Sequence, residues 1–264
     1  MGLLSGKKVL IFGVANERSI AWGIAQAFHR EGAELAFTFL GEALEKRVRP
    51  LADSVGSKIV LPCDATKDEE IEAVYKEIAK AWGKFDILVH AMAYAKKEDL
   101  EGQFLNTSRD GFLLAMNVSA YSLVAVTRPA VPLLNPGGSV LTLTYYGSDR
   151  VMPNYNVMGV AKAALESTVR YLAADLGPHQ IRVNAISAGA IKTLASSGIA
   201  GIRAKLKLSA ATSPLGRNVT QEEVGNSALY LCSSLGSGVS GEIHFVDCGV
   251  NIMGESVHTI EAAS

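Results

Sequence analysis

The sequence is poor in the residues that staple secreted folds or mark nucleic-acid binders. Only three cysteines occur in 264 residues, Cys63, Cys232 and Cys248. They are far apart and odd in number, which excludes a disulfide framework and any Cys-x-x-Cys metal or redox site. Reduced, buried thiols are expected, and no metal. A surplus of one charge is also missing: 25 Lys and Arg stand against 26 Asp and Glu, for a net charge of -1. A nucleic-acid binder normally carries a basic excess to neutralise phosphates, so no nucleic-acid partner is expected. No apolar run is seen that reaches the roughly 18 residues a membrane span needs. The first residues, Met1-Gly2-Leu3-Leu4-Ser5-Gly6-Lys7-Lys8, run directly into a strand-like stretch, with no room for a signal peptide. The expectation is therefore a cytoplasmic protein with no membrane partner.

What is present is globular usage: 48% hydrophobic, 19% charged, and 25 glycines spread along the chain. Apolar runs at 9–12, 35–39, 59–61, 87–89, 140–143, 183–186 and 243–246 read as strands. Stretches at 20–30, 71–82, 165–176 and 224–235 carry helical apolar spacing. Strand then helix, repeated, implies parallel strands joined by right-handed crossovers. The expected fold is α/β, a doubly wound Rossmann-type sheet of seven parallel strands with helices on both faces, and residues 1–264 form a single domain. Two interruptions, a polar loop-like stretch at 94–106 and a small, basic stretch at 188–214, are long enough to suggest function.

The first strand is followed by Gly13-Val14-Ala15-Asn16-Glu17-Arg18-Ser19-Ile20-Ala21-Trp22-Gly23. In such a sheet the first strand-to-helix turn takes a pyrophosphate, because glycine admits the backbone and the helix start offers unpaired N–H groups. Gly13 makes the close turn, Ser19 caps the helix and donates to phosphate, and Gly23 permits helix-to-sheet packing. The spacing departs from Gly-x-Gly-x-x-Gly, so the placement on the first strand carries the argument. At the end of the third strand, Asp64 is suited to accept from an adenine amino group while Ala65 flanks the ring; the alternative for Asp64 is a helix N-cap. After the second strand, Leu40-Gly41-Glu42 offers no cation for a 2′-phosphate. NADH is favoured, with NADPH not excluded because Lys46 and Arg47 lie close in sequence.

At the end of the fifth strand the chain reads Thr142-Leu143-Thr144-Tyr145-Tyr146-Gly147, then Tyr155-Asn156-Val157-Met158-Gly159-Val160-Ala161-Lys162. A spacing of seven residues is within about 20° of two helical turns, so Tyr155 and Lys162 are expected on one face. Taken singly, a tyrosine is more often a packing residue and a lysine a solvated one. Their joint placement beyond a strand end argues for chemistry. Residue type alone does not choose between Tyr145 and Tyr146 as a partner.

These segments, with Arg182-Val183-Asn184-Ala185-Ile186-Ser187-Ala188-Gly189 and Lys192-Thr193-Leu194-Ala195, resemble the NADH-dependent enoyl-acyl-carrier-protein reductases, a divergent branch of the short-chain dehydrogenases. In most short-chain dehydrogenases the donor tyrosine stands four residues before the lysine; here that position is Met158, which has no proton to give. Tyr155 stands about 4.5 Å further back along a helix axis, a shift that suits a conjugated acceptor. The resemblance implies a hydride transfer from NADH to the β-carbon of a trans-2-enoyl thioester, the last reductive step of type II fatty-acid elongation. Tyr155 hydrogen-bonds the thioester carbonyl, Lys162 binds the nicotinamide ribose, and Tyr145 lines the acyl pocket and helps position the thioester. It also implies cofactor contacts from Ile20, Leu40, Met92, Ile191, Thr193, Leu194 and Ala195, a substrate contact from Ala95, a flap over about 190–214, an acyl-carrier-protein partner and a homotetramer. Two departures stand out: Ala190 replaces a usual proline, and Leu40 replaces a polar residue. The cations Lys192, Arg203, Lys205 and Lys207 suit an acidic carrier protein. The alternatives are a 3-oxoacyl or carbonyl reductase, disfavoured by Met158, and a non-catalytic dinucleotide sensor.

Overall fold

Seven short strands, β1 (Lys8–Phe12), β2 (Glu34–Phe39), β3 (Ile59–Pro62), β4 (Phe85–His90), β5 (Leu134–Thr144), β6 (Arg182–Ala188) and β7 (Ile243–Val246), pair in parallel in the order β3-β2-β1-β4-β5-β6-β7. The computed structural model describes residues 2–193 and 201–254. Parallel strands covered on both faces are apolar throughout rather than alternating, and β4 is buried at every position. The strand order reverses between β1 and β4, which opens a crevice at their C-terminal ends, where ligands of such sheets bind.

The helices are α1 (Ile20–Arg30), α2 (Gly41–Ser54), α3 (Asp68–Trp82), α4 (Arg109–Met116), α5 (Ser122–Ala130), α6 (Asn156–Leu176), α7 (Ile202–Thr212) and α8 (Gln221–Cys232). One core joins α1, α2 and α8 to Val9, Ile11, Phe37, Val89 and Ile186. The other joins α3, α5 and α6 to Leu10, Phe12, Leu88, Val140 and Val183. Successive strand residues thus feed opposite faces, as the pleat requires.

All seven expected strands form, and several helices extend the sequence reading. The helix α2 lies outside that reading although Leu44, Val48, Leu51 and Ala52 recur at helical spacing and pack on the core, because its charged residues and Pro50 dilute the stripe. The acidic first turn of α3, Asp68, Glu69 and Glu70, adds no apolar spacing but favours the positive helix end. The stretch 94–106 contains two short 3-10 turns, Lys97–Asp99 and Phe104–Asn106, and 188–214 holds α7. One membrane expectation is corrected: Arg109–Leu133 is long and apolar enough to cross a membrane by length and composition, yet half of its apolar window is buried inside the protein. It is apolar because α4 and α5, joined by a π-helical turn at Asn117–Tyr121, pack into the core.

Gly23 also differs from expectation. A Cβ there would lie 2.5 Å from Gln221 Cγ on α8, and one at Gly225 would lie 2.5 Å from the Gly23 carbonyl oxygen. The glycine serves close packing of α1 on α8, not of a helix on the sheet. Arg182 and Asn184 fasten β6 to the chain entering β7: Asn184 Nδ2 donates to Val239 O at 2.9 Å and its Oδ1 accepts from Glu242 N at 3.0 Å. Cys63 and Cys232 are buried free thiols, as expected, whereas Cys248 is only half-buried.

Candidate active site

The turn after β1 is built for close approach. Gly13 has φ 103°, and a Cβ there would overlap the carbonyl oxygen of Ala91 at the exit of β4. Ser19 stands at the N-cap of α1, but its side chain caps nothing. Its Oγ instead accepts from Ala15 N and Asn16 N, each at 3.0 Å, which folds the turn back on itself. The capping role expected of Ser19 is therefore corrected, for a reason that helps a ligand. The first N–H groups of α1 keep no side-chain partner, and no acidic residue stands in its first turn. A helix start left this way fits a diphosphate group. Ile20 opens α1 and packs against the core. Gln221, which sequence reasoning missed, donates its amide to the carbonyls of Ser19 and Glu17 and pins the turn from α8. Its distance in sequence left no local signal.

Around this turn the other expected ligands line the strand ends. Leu40 is 57% exposed and stands at the N-cap of α2. Lys46 and Arg47 are exposed on α2. Arg49 is committed elsewhere: Nη2 lies 2.6 Å from Glu45 Oε1, and its guanidinium lies 5.8 Å from the Phe39 ring centre. Asp64 Oδ1 accepts from Thr66 N at 3.0 Å and from Thr66 Oγ1 at 2.7 Å. This is an Asx-type turn; the N-cap of α3 is Lys67, so the capping alternative for Asp64 is corrected. Burial works against ionisation of Asp64, but the Thr66 hydrogen bonds and Lys67 hold its carboxyl below the usual range. Ala65 and Met92 are partly buried against the α3-side core.

The segment holding Met92 and Ala95 is fixed by the π turn: Tyr94 N donates to Ser119 Oγ at 2.9 Å, and that hydroxyl donates to Tyr94 O at 3.1 Å. Ile191 packs against the α1-side core and Thr193 is partly buried. Leu194 and Ala195 lie outside the described residues. Of the basic group beyond β6, Arg203 and Lys207 are exposed, but Lys205 Nζ donates to Pro153 O. Lys205 is thus no freely solvated docking cation.

Tyr155 is not inside α6, as the two-turn argument requires, but is the residue before it, at φ -121°. Asn154 (φ 57°) and Asn156 (φ 36°) flank it in left-handed conformations, which asparagine tolerates better than most residues. Its ring meets the ring of Tyr145 edge-on, with centroids 5.0 Å apart at 71°. The geometry thereby distinguishes Tyr145 from Tyr146. Two glycines missed by sequence reasoning make room for this pair. A Cβ at Gly147 would stand 2.6 Å from Tyr155 Cδ1, and one at Gly159 would stand 2.8 Å from Gly147 O. Met158, where the usual donor would be, is buried.

Lys162 is 6% exposed, and its Nζ donates to Leu143 O at 2.8 Å. Burial lowers its pKa to about 8, against the opposing charge of Glu166. Burial raises the Tyr155 phenol above its ordinary value, with Tyr145 and Glu166 adding to the effect, and burial likewise raises Tyr145. His90, fully buried, bonds Thr142 Oγ1 and Ser122 Oγ, each at 2.8 Å. The Ser122 hydroxyl donates to Val118 O at 2.7 Å, so it accepts from His90 Nε2–H, which assigns the tautomer. Burial and the charge of Lys162 lower the His90 pKa to about 3, so the ring is neutral. The site therefore presents a protonated phenol just before α6 and a buried lysine on it, and no metal-binding cluster exists among the described residues.

Known proteins resemble this chain over nearly its whole length. A Rickettsia felis enoyl-[acyl-carrier-protein] reductase [NADH] is 54% identical over 255 residues, covering 97% of this chain and 98% of its own. A second such NADH enzyme, from Rhizobium meliloti, is 56% identical over 261 residues, covering 99% and 97%. The crystal structure of the NADH enoyl-[acyl-carrier-protein] reductase from Aquifex aeolicus matches at TM-score 0.94 and 52% identity, over 96% of this chain and 100% of that one. A Bacillus cereus enoyl-acyl carrier protein reductase, solved with NADP+ and indole naphthyridinone, also matches at 0.94 and 52% identity, over 97% and 100%. The family model described as enoyl-(acyl carrier protein) reductase matches residues 13–251, and the chain belongs to that family.

Proposed function

We propose that this chain reduces the double bond of a trans-2-enoyl thioester carried on acyl carrier protein, with NADH as hydride source. The observation that carries this reading is the Tyr155–Tyr145 pair beyond β5 with Met158 buried in the usual donor's place. The NADH names of the relatives support the cofactor choice, as does the absence of a cation directly after β2 in the sequence. The NADP+ complex of the Bacillus cereus relative keeps NADPH as the alternative.

A nicotinamide held here would supply the hydride that reaches the β-carbon. As the carbon–hydrogen bond forms there, the π electrons move toward the thioester oxygen and leave an enolate, which later takes a proton at the α-carbon. Tyr155, kept protonated by burial, donates a hydrogen bond to that oxygen as charge develops. Tyr145, edge-on to it, restricts the phenol and lines the acyl pocket. Lys162 spends one N–H on Leu143 O and has two left for the ribose hydroxyls. Gly13, Ser19, Ile20, Leu40, Asp64, Ala65, Met92, Ile191 and Thr193 hold the dinucleotide in this reading, with Leu194 and Ala195, and Ala95 meets the substrate.

Residues 1–264 act as one catalytic domain, and about 190–214 covers the acyl chain. The homotetramer of this reading needs a self-association face, and the groove between α5 and α6, lined by Val124, Ala164, Tyr171, Leu172 and Asp175, offers one that pairs two copies. Free thiols support a cytoplasmic location. The test is NADH oxidation with crotonyl thioester and, as control, acetoacetyl thioester. Consumption is expected with the first only, and the reverse result overturns the reading in favour of a carbonyl reductase.

A further inference from the structure

The last three residues of β5 each engage an ionisable side chain. Thr142 Oγ1 bonds His90 Nδ1 at 2.8 Å, Leu143 O accepts from Lys162 Nζ at 2.8 Å, and Thr144 Oγ1 donates to Glu166 Oε1 at 2.6 Å. The first of these groups is neutral and the second belongs to the dinucleotide site. The third, Glu166, has no place in the reaction as described. It stands one helical turn beyond Lys162 on α6, and positions four apart share a face. It is partly buried, its carboxylate is anchored by a short bond to a buried threonine, and it forms no ion pair among the described residues.

We infer that Glu166, anchored by Thr144 one helical turn beyond Lys162, is a positioning residue of this site: its carboxylate stabilises the Lys162 ammonium that holds the dinucleotide. The physical need is plain. Burial strips water from Lys162, and without a nearby anion the amine loses its proton within the working pH range. Glu166 opposes that loss, and the same charge disfavours phenolate at Tyr155. The other ionisable groups do not substitute for it: Arg170, four residues beyond Glu166 on α6, is an exposed cation, and Asp149 and Arg150, beside the turn packed on the start of α6, are exposed and paired with each other. His90 on β4 is neutral, and Tyr145 and Tyr146 at the end of β5 are phenols. On the packed helices, Arg109 and Asp110 of α4 are exposed, and Arg128 of α5 is exposed and directed to the Tyr121 hydroxyl at 3.4 Å. Arg182, at the far end of β6, is held by the Leu231 carbonyl.

The kinetic arm of the test rests on the reductase reading; the binding arm does not. The full chain and its Glu166→Gln, Glu166→Asp and Thr144→Val variants are assayed from pH 6 to 10 for kcat/KM toward NADH with crotonyl thioester. NADH binding is followed in parallel by fluorescence titration. Because kcat/KM reports groups of the free enzyme, Glu166→Gln is expected to move the alkaline limb down by about one pH unit. The binding curve shifts with it, while activity near pH 6.5 stays within about twofold, since Lys162 is charged there in both proteins. Glu166→Asp restores the limb, and Thr144→Val, which frees the carboxylate without removing it, gives a smaller shift in the same direction. Superimposable profiles for the wild type and Glu166→Gln overturn the inference. So does a loss that is equal at every pH, which marks a merely structural role. If Glu166→Gln does not fold, an unshifted limb in Thr144→Val overturns it. If crotonyl thioester is not reduced at all but the binding limb shifts, the reductase reading fails and the role of Glu166 stands.

Discussion

Lys162 is buried and Tyr155 half-buried, and loss of water favours the neutral form of each. For the phenol this is useful, because a protonated donor is what the developing oxyanion needs. Tyr155→Phe keeps the ring against Tyr145 and removes only the proton, so kcat is expected to fall about 100-fold with the KM for NADH little changed; steady-state kinetics check this. For the lysine, burial conflicts with function. Its pKa is lowered from 10.5 to about 8, so above pH 8 the unfolded chain binds more protons than the folded one, and stability rises with pH up to about 10.5. Below pH 8 the full penalty stands, about 3 kcal/mol, offset by about 1 kcal/mol from the bond to Leu143 O. Lys162→Met is therefore expected to abolish NADH turnover while raising stability by about 1–2 kcal/mol at pH 7. The gain shrinks toward zero at pH 10. Thermal melts at the two pH values measure it, and a variant less stable than the wild type at pH 7 contradicts the sign.

At the scale of elements, what was legible depended on whether the signal was local. The strands were legible as apolar runs, and Gly13, Tyr155 and Lys162 by their place beyond strand ends. Tyr155 was nonetheless assigned to a helix, because nothing in the spacing shows that Asn154 and Asn156 adopt positive φ. Gly147 and Gly159, whose missing side chains admit the tyrosine pair, were silent for the same reason. Gly23 was given the wrong neighbour because its real one, Gln221, lies about 200 residues away in sequence. Gly23→Val pushes α1 off α8, a small-to-large change in a tight contact that costs about 1–3 kcal/mol; chemical denaturation reads it directly. Lys205 was expected among docking cations but ties α7 to Pro153, two residues before Tyr155. Lys205→Met is expected to speed amide exchange in Ile202–Thr212 by about fivefold, the loss of one hydrogen bond. The exposed Lys207→Met changes it little. Equal exchange in the two variants argues against the tie.

At the scale of the molecule, one face remains open after both cores are accounted for. The sheet is covered by α1, α2 and α8 on one side and by α3, α5 and α6 on the other, yet α6 leaves the large ring of Tyr171 outside both cores. Tyr171 is 74% exposed and, with Val124, Ala164 and Leu172, lines the groove between α5 and α6. Ser167, Thr168 and Asp175 complete the lining, and a face of this kind could meet its own copy across a two-fold axis. A second copy docked on this face would bear on catalysis, because α6 begins just after Tyr155 and carries Lys162 and Glu166. Bracing the outer side of α6 limits the tilt of the helix that presents all three groups. Tyr171→Asp places a second carboxylate beside Asp175 in a groove that would lose water on assembly, and is expected to lower the mass seen by sedimentation at micromolar concentration by at least about half. The fold is expected to survive, since the side chain is exposed in the single chain, while kcat falls with α6 unbraced. An unchanged oligomer mass in Tyr171→Asp moves the assembly face elsewhere; a smaller mass with full activity separates assembly from the site.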